Sequence, residues 1–452
     1  MTERTIAAIS SPRGKGGVAL IRISGGDAMK ITSKVFAPAS GKAFELYKPN
    51  TVVYGKFSDR NGVFDDGMAV FYKAPRSFTG EDTCELCCHG GPLVTEKLLS
   101  ACIAAGASYA GRGEFTKRAF LNGKMSLSEA EAVGGMIDAV SEKHLNVSLL
   151  QMDGSLSQKI NSVYSRLVFL VSSVYAYIDY PDEDMTDVSV DEMKETLSSV
   201  LDELKELYET RHYGKAISEG IRTAIVGRPN TGKSSLLNRL SGTERAIVTD
   251  TAGTTRDVIT EKITLGDVVL DLSDTAGIRE SDDVIEQIGV NKAGKEIENA
   301  EMVLLVLENT VTAEDEKVID LIKQSGKSDV TVAVYNKSDN GKTAKKGIFG
   351  REVTFSALTG DGVKELINEV SSICGKNVCR DDGSIIVSAR QSGSLARAIG
   401  CIEDAVSSLD SFTQDIAGME IENALSALGE IDGKAVTEDI VNDIFSHFCV
   451  GK

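Results

Sequence analysis

A glycine-rich loop in the middle of the chain carries residue types suited to holding phosphate groups. Its pattern G-x-x-x-x-G-K-S covers residues 227–234. The apolar run 223–226 before it predicts a buried strand, and residues 235–240 after it have the composition of a helix. In such a strand-to-helix loop, glycines let backbone amides turn onto phosphate oxygens. We therefore expect Lys233 to reach the β- and γ-phosphates of a nucleotide and the Ser234 hydroxyl to hold magnesium.

Three further patterns each follow a predicted strand downstream of this loop. D-T-A-G at 274–277 would place a carboxylate beside the magnesium and a glycine at the γ-phosphate. N-K-S-D at 336–339 ends in an aspartate that can accept hydrogen bonds from N1 and the exocyclic amino group of guanine, which adenine does not offer in that arrangement. S-A-L from Ser356 would close over the base. Together the four patterns predict GTP binding.

The residue that orients the attacking water is not given by these patterns. Ile278 follows D-T-A-G, where a Ras-like protein carries a glutamine. The acids between Glu280 and Glu286 are candidates, although any one of them could be a solvated surface acid. A first switch segment, T-D-T-A-G-T-T-R-D at 249–257, offers hydroxyls for magnesium.

Net charge and cysteine content limit the class of protein. The formal net charge is -18, yet residues 1–120 hold 16 Lys or Arg against 11 Asp or Glu, so a polyanion would prefer the N-terminal part. Ordinary charge scatter is an equally open interpretation. No targeting segment or long apolar run is present, which predicts a cytosolic protein without a membrane span. The eight cysteines predict reduced thiols.

One cysteine cluster has two interpretations. Cys84, Cys87, Cys88 and His89 contain a C-x-x-C spacing that suits zinc. No second C-x-x-C pair accompanies it, which favours buried or edge-strand thiols instead.

The predicted elements divide the chain into an α+β part, a helical part and an α/β part. Residues 5–25 read as strand, glycine-rich turn and strand, so this turn is not a second P-loop. Further strands are predicted at 51–57, 67–72 and 83–88, and a helix at 93–105. Apolar residues with helical spacing follow from Leu127 and return after Ile385.

Helical stretches thus flank the segment in which strands and helices alternate. Each helical stretch needs a partner for its apolar stripe, which predicts an α/β nucleotide-binding domain inserted into one helical domain. The predicted domains are 1–120 (N-terminal α+β), 121–214 (helical, first part), 215–378 (inserted P-loop domain with a parallel-type sheet and flanking helices) and 379–452 (helical, second part, with the C-terminal FCVGK motif).

Motifs along the whole chain resemble the MnmE (TrmE) family of tRNA-modifying GTPases. In the α/β part these are G-R-P-N-T-G-K-S-S, G-T-T-R-D, D-T-A-G-I-R-E and N-K-S-D. P-R-S-F-T-G-E-D from Pro75, C-H-G-G-P from Cys88, G-E-F-T-K-R-A-F-L-N-G-K from Gly113 and the terminal F-C-V-G-K also resemble that family. The family usually has isoleucine where Val450 stands, a difference of one methylene.

The resemblance implies a homodimer built through N-terminal domains that bind 5-formyltetrahydrofolate or a related reduced folate. It also implies a heterotetramer with two copies of MnmG, a partner that uses FAD and NADH. Together they would add an aminomethyl-type group, including carboxymethylaminomethyl, to C5 of the wobble uridine of certain tRNAs. The same resemblance implies a potassium ion, in addition to magnesium, at the GTP site.

Site residues carry over by the same resemblance. Glu286 is implied to position the attacking water, and Cys449 becomes a reaction candidate, with a buried thiol as its rival and a prenylation box as a poor fit. Folate contacts fall on Arg22, Glu85, Lys124 and Lys452; magnesium contacts on Ser234 and Thr255; potassium contacts on Asn230, Thr249, Thr251 and Thr254. The predicted GTP-binding set is Asn230, Thr231, Gly232, Lys233, Ser234, Ser235, Thr249, Asp250, Thr251, Ala252, Gly253, Thr254, Thr255, Asp274, Thr275, Ala276, Gly277, Asn336, Lys337, Asp339, Ser356 and Ala357.

An alternative function from another class is a regulatory or ribosome-assembly GTPase that acts as a binding switch. The GTPase motifs do not separate the two functions. The folate-like N-terminal segment and Cys449 favour tRNA modification.

Overall fold

The computed structural model describes residues 4–179, 189–243, 261–272, 294–341, 345–375, 382–411 and 414–452. The chain divides into two compact units. The first contains Met1–Gly134 and Asp432–Lys452, and the second is Gly135–Ile431.

The described part of the first unit is built on a sheet of seven strands in the order β3-β4-β5-β6-β2-β1-β7. The strands are β1 (Ile6–Ile9), β2 (Val18–Ser24), β3 (Phe36–Pro38), β4 (Val53–Asp59), β5 (Gly62–Tyr72), β6 (Thr83–His89) and β7 (Ser108–Tyr109). In the antiparallel pairing of β2 with β6, Arg22 lies directly opposite Glu85. This register places the two charged side chains on one face of the sheet.

Helices α1 (Ala28–Val35) and α2 (Pro92–Ala104) pack on this sheet. Their apolar side chains join those of the strands in one core that includes Ile21, Leu86 and Leu98. Two more helices follow, α3 (Glu114–Leu121) and α4 (Leu127–Asp138). The region is therefore α+β, as predicted.

The second unit contains a sheet of six strands within the described residues, in the order β13-β12-β11-β8-β10-β9. The strands are β8 (Ile221–Val226), β9 (Glu261–Leu265), β10 (Val268–Leu272), β11 (Met302–Leu307), β12 (Thr331–Tyr335) and β13 (Glu352–Thr354). All neighbours are parallel except β9 and β10. Every residue of β11 and β12 is buried, which is typical of parallel strands covered on both faces.

Because β8 and β12 run parallel with only β11 between them, the loops that follow them meet at one edge of the sheet. Helix α9 (Lys233–Thr243) is the next element after β8 in the chain, and the glycine loop joins the two. The predicted phosphate loop and the predicted guanine-binding residues are thereby brought together.

Helices that precede and follow this sheet in the sequence share one core. They are α6 (Ser155–Asp179), α7 (Val190–Glu209), α12 (Ala389–Ser411) and α13 (Gln414–Asp432). Helices α5 (Glu142–Met152) and α8 (Arg211–Ser218) instead contribute Val147 and Tyr213 to a core shared with the sheet. Helices α10 (Ala313–Gln324) and α11 (Val363–Ile373) lie between α9 and α12 in the chain. Leu197 of α7 and Leu395 of α12 are buried in the same cluster. The predicted insertion of the α/β domain into one helical domain is therefore confirmed.

Several elements differ from their predictions. The strand predicted at 67–72 begins at Gly62, because backbone pairing with β4 continues through the polar Asp65 and Asp66. Strand β3 and helix α1 were not predicted. Residues 5–25 form strand, loop and strand as predicted. The domain boundaries themselves remain predictions.

The last helix, α14 (Glu438–Ser446), lies in the first unit. Its Val441 and Phe445 pack with Leu127 and Ala130 of α4. Among the helices of the described ranges, none combines the length and the apolar character needed to cross a membrane.

Candidate functional site

Glycines shape the loop between β8 and α9. Gly227 has φ +149°, and a Cβ there would lie 2.3 Å from the Val306 carbonyl oxygen. Gly232 has φ +93°, and a Cβ there would lie 2.2 Å from Nδ2 of Asn336. Larger residues at these positions would both strain the backbone and displace β11 or Asn336. The pattern G-x-x-x-x-G is therefore required by close packing as well as by backbone conformation.

Lys233 lies inside this loop at the first residue of α9. Its Nζ donates to the carbonyl oxygens of Gly227 at 2.8 Å and Arg228 at 2.9 Å. Burial lowers the pKa of Lys233, because the interior solvates the ammonium poorly. Ser234 and Ser235 follow as exposed residues of the first helical turn. An ammonium, hydroxyls and a helix N-terminus are the chemical groups that favour phosphate and its counter-ion.

Asn336 joins the phosphate loop to the loops at the base end of the site. It is 2% exposed. Its Nδ2 donates to the Thr231 carbonyl oxygen at 3.0 Å, and its Oδ1 accepts from the Ala357 backbone N–H at 3.1 Å. One amide side chain therefore fixes three loops relative to one another.

Lys337 makes a second connection to the phosphate loop. Its Nζ donates to the Asn230 carbonyl oxygen at 2.8 Å. Both residues have positive φ, +67° at Asn230 and +63° at Lys337, a conformation that costs non-glycine residues free energy. The hydrogen bond joins two locally strained positions across the site.

Asp339 is exposed and is oriented by Ser356. The Ser356 hydroxyl is fully buried and donates to Oδ1 of Asp339 at 2.6 Å. This leaves the other carboxylate oxygen available to a hydrogen-bond donor, as reading of the guanine edge requires.

These groups line one cavity of about 640 Å³. Its lining residues are Gly232, Ser235, Asn238, Arg239, Gly242, Asn336, Lys337, Asp339, Asn340, Ala357 and Leu358. A cavity of this size suits a nucleotide. Gly232 and Ser235, at the start of α9, line this cavity together with Asp339.

A second cluster of charged residues lies on the sheet of the first unit. Arg22 Nε and Nη2 both lie 2.9 Å from Oε1 of Glu85. The Arg22 guanidinium lies over the rings of Phe78, at 4.9 Å, and Phe115, at 5.6 Å. Its Nη1 is buried and has no hydrogen-bond partner among the described residues. A buried cationic donor without a partner marks a place for an acceptor from a ligand.

The C-terminal tail lies beside this cluster. The Phe115 backbone N–H donates to the Lys452 carbonyl oxygen at 3.1 Å, and the Ser10 hydroxyl donates to the Gly451 carbonyl oxygen at 2.8 Å. Gly451 has φ +100°, and a Cβ there would lie 2.1 Å from the Ile9 carbonyl oxygen. Only glycine fits this position.

The tail brings Lys452 and Cys449 to the Arg22 cluster. Burial lowers the pKa of Lys452, Arg22 lowers it further, and Cys449 raises it. Cys449 is exposed, and the Gly113 N–H donates to its carbonyl oxygen at 3.3 Å. Lys124 is held at a neighbouring loop, where its Nζ donates to the Pro75 carbonyl oxygen at 3.1 Å.

The cysteines of β6 do not converge. Cys84 and Cys88 are buried, and burial raises their pKa values to about 12 and about 11. Cys87 lies on the opposite face of the strand because side chains alternate. The interpretation as buried thiols is confirmed for Cys84 and Cys88, and a zinc site made from the three cysteines is excluded by this alternation.

His89 belongs to a different group, with Asp65 and Asp66, whose potential ligand atoms lie within 4.8 Å of one another. Its Nδ1 lies 2.7 Å from Asp65 Oδ1. That hydrogen bond raises the pKa of His89, which disfavours the neutral imidazole that a metal requires.

Two family profiles and several known proteins match this chain over residues that include both clusters. A family profile described as "MnmE helical domain" matches residues 127–449, and one described as "GTP-binding protein TrmE N-terminus" matches residues 5–124. The "tRNA modification GTPase MnmE" of Clostridioides difficile (strain 630) is 38% identical over 458 residues, covering 100% of this chain and 99% of that protein. The protein of the same name from Thermotoga maritima is 39% identical over 458 residues, covering 99% and 100%.

The chain belongs to the MnmE family. The solved G domain of the T. maritima FeoB iron transporter resembles part of it, covering 34% of this chain and 98% of its own, with 24% identity and a TM-score of 0.25.

The structure describes about half of the site residues predicted for this MnmE chain. Asn230, Thr231, Gly232, Lys233, Ser234, Ser235, Asn336, Lys337, Asp339, Ser356 and Ala357 surround the same site. Arg22, Glu85 and Lys452 form the cluster in the first unit, with Cys449 beside Lys452 and with Lys124 on the loop of Pro75. Outside the described residues lie Thr249, Asp250, Thr251, Ala252, Gly253, Thr254, Thr255, Asp274, Thr275, Ala276, Gly277 and Glu286.

Glu308 was missed by the sequence analysis. It directly follows β11, and its carboxylate accepts hydrogen bonds from Arg228 of the phosphate loop and from Lys337. The bond to Lys337 holds the pKa of Glu308 below its usual range. Its position after an apolar strand, at the sheet edge shared with N-K-S-D, was the available signal. Glu308 therefore joins the loop after β8 to the loop after β12.

Proposed function

We propose that this chain hydrolyses GTP in the cavity beside α9 and, with an FAD-dependent MnmG partner, installs a carboxymethylaminomethyl or aminomethyl group at C5 of the wobble uridine of certain tRNAs. Membership of the MnmE family shows that the chain is a GTP hydrolase that acts in tRNA modification. The proposed modification of the wobble uridine is supported most by the presence of two sites in one chain. A nucleotide cavity lies in the second unit, and the Arg22–Glu85–Lys452 cluster lies in the first.

In the proposed GTP site, Lys233 binds the β- and γ-phosphates. Its Nζ then gives up its hydrogen bonds to the carbonyl oxygens of Gly227 and Arg228. Asp339, oriented by Ser356, accepts from the guanine edge. Ser234 and Thr255 would hold magnesium, which supplies positive charge to the phosphates as they gain negative charge. The exposed Ser234 hydroxyl at the start of α9 fits this role. Glu286 is the proposed residue for orienting the attacking water.

Potassium is proposed near Asn230, Thr249, Thr251 and Thr254. Oxygen ligands suit a large monovalent cation, and Asn230 is an exposed residue of the P-loop with an amide oxygen to offer. Potassium would supply positive charge that an arginine finger supplies in other GTPases.

We expect GTP turnover by the full-length chain to rise at least about tenfold when potassium chloride replaces sodium chloride at equal ionic strength, because loss of transition-state charge stabilisation costs factors of this size or more. Phosphate release measured in each salt, with GDP affinity measured as a control, checks this. Equal rates in both salts would exclude the potassium proposal and return Arg256 of the first switch segment as the candidate cation.

The Arg22 cluster is the proposed site for a reduced folate such as 5-formyltetrahydrofolate. A carboxylate such as Glu85 can pair with adjacent N–H groups of a pterin, and cations such as Arg22, Lys124 and Lys452 suit the glutamate tail. The unpartnered Arg22 Nη1 supports a ligand with an acceptor here. The folate would supply the one-carbon unit. A homodimer formed through the N-terminal domains, and a heterotetramer with two MnmG chains in the cytoplasm, complete the proposal.

The purified chain, its FAD-containing MnmG partner, NADH, labelled 5-formyltetrahydrofolate, unmodified tRNA and either glycine or ammonium as the nitrogen source test this function directly. Radiolabel from the one-carbon unit of the folate should enter tRNA with GTP and should not enter with a non-hydrolysable GTP analogue. Absence of label with GTP, together with association of the chain with ribosomal particles, would favour the alternative of a ribosome-assembly switch.

Substitution Asp339→Asn should weaken GTP binding by about 2 kcal/mol or more, because the amide presents a donor where the guanine edge also donates. Guanine selectivity should fall in parallel. Titration of fluorescent GTP and its adenine counterpart measures both. Asp361→Asn, which changes an exposed aspartate just beyond the S-A-L loop, is the matched control. Unchanged affinity in Asp339→Asn would place the base elsewhere.

A further inference from the structure

Arg239 fastens the loop that follows β13 to helix α9. Its Nε donates to the Ala357 carbonyl oxygen at 2.9 Å, and its Nη2 donates to the carbonyl oxygen of Leu358. Gly360 approaches the same guanidinium, since a Cβ there would lie 3.5 Å from Arg239 Cζ. A forked guanidinium that binds two consecutive carbonyls fixes both position and orientation of the loop.

Leu358 is presented by this loop in an unusual way. Its side chain is 77% exposed, yet it belongs to the lining of the nucleotide cavity. The residues beside it are also fixed by the loop after β12, since Ser356 donates to Asp339 and the Ala357 N–H donates to Asn336. The loop is therefore held both by α9 and by the loop after β12, and its exposed leucine lines the cavity.

The cavity otherwise offers mainly polar groups at its base end, among them Asp339, Asn340 and Lys337. A purine combines a polar edge with two flat apolar faces, and contact of a face with an apolar or aromatic side chain stabilises its binding. Leu358 provides such a surface where Asp339 reads the edge.

The geometry points to Arg239 as a positioning residue that holds Leu358 against one face of the bound guanine. This inference rests on the proposed nucleotide site. It adds Arg239, which the sequence motifs do not contain, to that site. Arg239 acts through Leu358, the last residue of the S-A-L segment that is expected to close over the base.

The test uses the full-length chain and the fluorescent analogue methylanthraniloyl-GDP. Leu358→Ser and Arg239→Ala should each raise its dissociation constant about tenfold, chiefly through faster dissociation, since burial of part of a leucine side chain against the base is worth about that factor. Arg239→Lys should restore only part of the affinity, because an ammonium does not fork across two carbonyls. In GTP hydrolysis, KM should rise while kcat at saturating GTP stays within about twofold.

Two control variants and a double variant distinguish a loss of Leu358 positioning from a loss of protein stability. Leu93→Ser changes another highly exposed leucine, and Arg222→Ala removes another exposed arginine that pairs with Glu301. Both should bind like the wild type. The dissociation constant of the double variant should be no higher than that of whichever single variant binds the analogue more weakly, because Arg239 and Leu358 act through one contact.

The outcomes distinguish the inference from the proposed site. A wild-type chain that does not bind the analogue would contradict the nucleotide site itself. Normal binding by the wild type and by Leu358→Ser would overturn the inference, even if Arg239→Ala lost thermal stability. Additive losses in the double variant would also overturn it, since the two residues would then act separately.

Discussion

Replacing Cys449 by serine is expected to abolish tRNA modification and to leave GTP hydrolysis at the wild-type rate. Cys449 is exposed in the first unit, beside the cluster of Arg22 and Lys452. Its carbonyl accepts from Gly113, a contact that the substitution retains. Serine nearly keeps the size of the side chain and replaces the sulfur nucleophile by a hydroxyl. The GTP cavity lies in the second unit and does not include this residue.

Nucleoside analysis of tRNA after a reconstituted reaction measures the first activity, and phosphate release measures the second. Cys401→Ser, which changes a half-buried thiol of α12, is the matched control and should retain both activities. If Cys449→Ser modified tRNA at the wild-type rate, the thiol would have a structural role only.

Glu286→Ala is expected to lower GTP hydrolysis by about a hundredfold or more while GTP affinity stays unchanged, because a residue that orients the attacking water contributes a factor of this size. Ile278 occupies the position of the usual glutamine, so another group must perform this task. The assignment to Glu286 rests on the family resemblance.

Affinity and turnover are measured on one preparation, so that loss of folding cannot be mistaken for loss of chemistry. Glu280→Ala, in the same acidic segment, is the control and should hydrolyse GTP at the wild-type rate. Wild-type turnover in Glu286→Ala would move the role to another acid between Glu280 and Asp283.

The P-loop was predictable from the order of strand, glycine loop and helix in the chain, because the conformation of the loop depends on residues that are adjacent in the sequence. The N-K-S-D loop was predictable for the same reason, and its place beside the P-loop followed from parallel strand order. Contacts that join these loops were not predictable. Glu308 and Arg239 act through partners far away in the sequence, Lys337 and Ala357 among them, and no local pattern marks such pairs.

The C-terminal tail shows the same limit over a longer distance. FCVGK was expected within the helical segment 379–452, because residues after Ile385 have helical spacing. In the structure Gly451 packs on Ile9 and Lys452 bonds to Phe115, so the tail completes the cluster of Arg22. Nothing local in a five-residue motif specifies a partner more than three hundred residues away. Only the family resemblance connected Lys452 to Arg22 before the structure did.

The central claim is that this GTP hydrolase acts on the wobble uridine of tRNA. Mass spectrometry of nucleosides from total tRNA, in a strain that lacks the gene, tests it most directly. The account predicts loss of C5-aminomethyl-type wobble uridines in that strain and their return with the wild-type gene and with Cys401→Ser, but not with Cys449→Ser. Unchanged wobble uridines in the strain without the gene would contradict it.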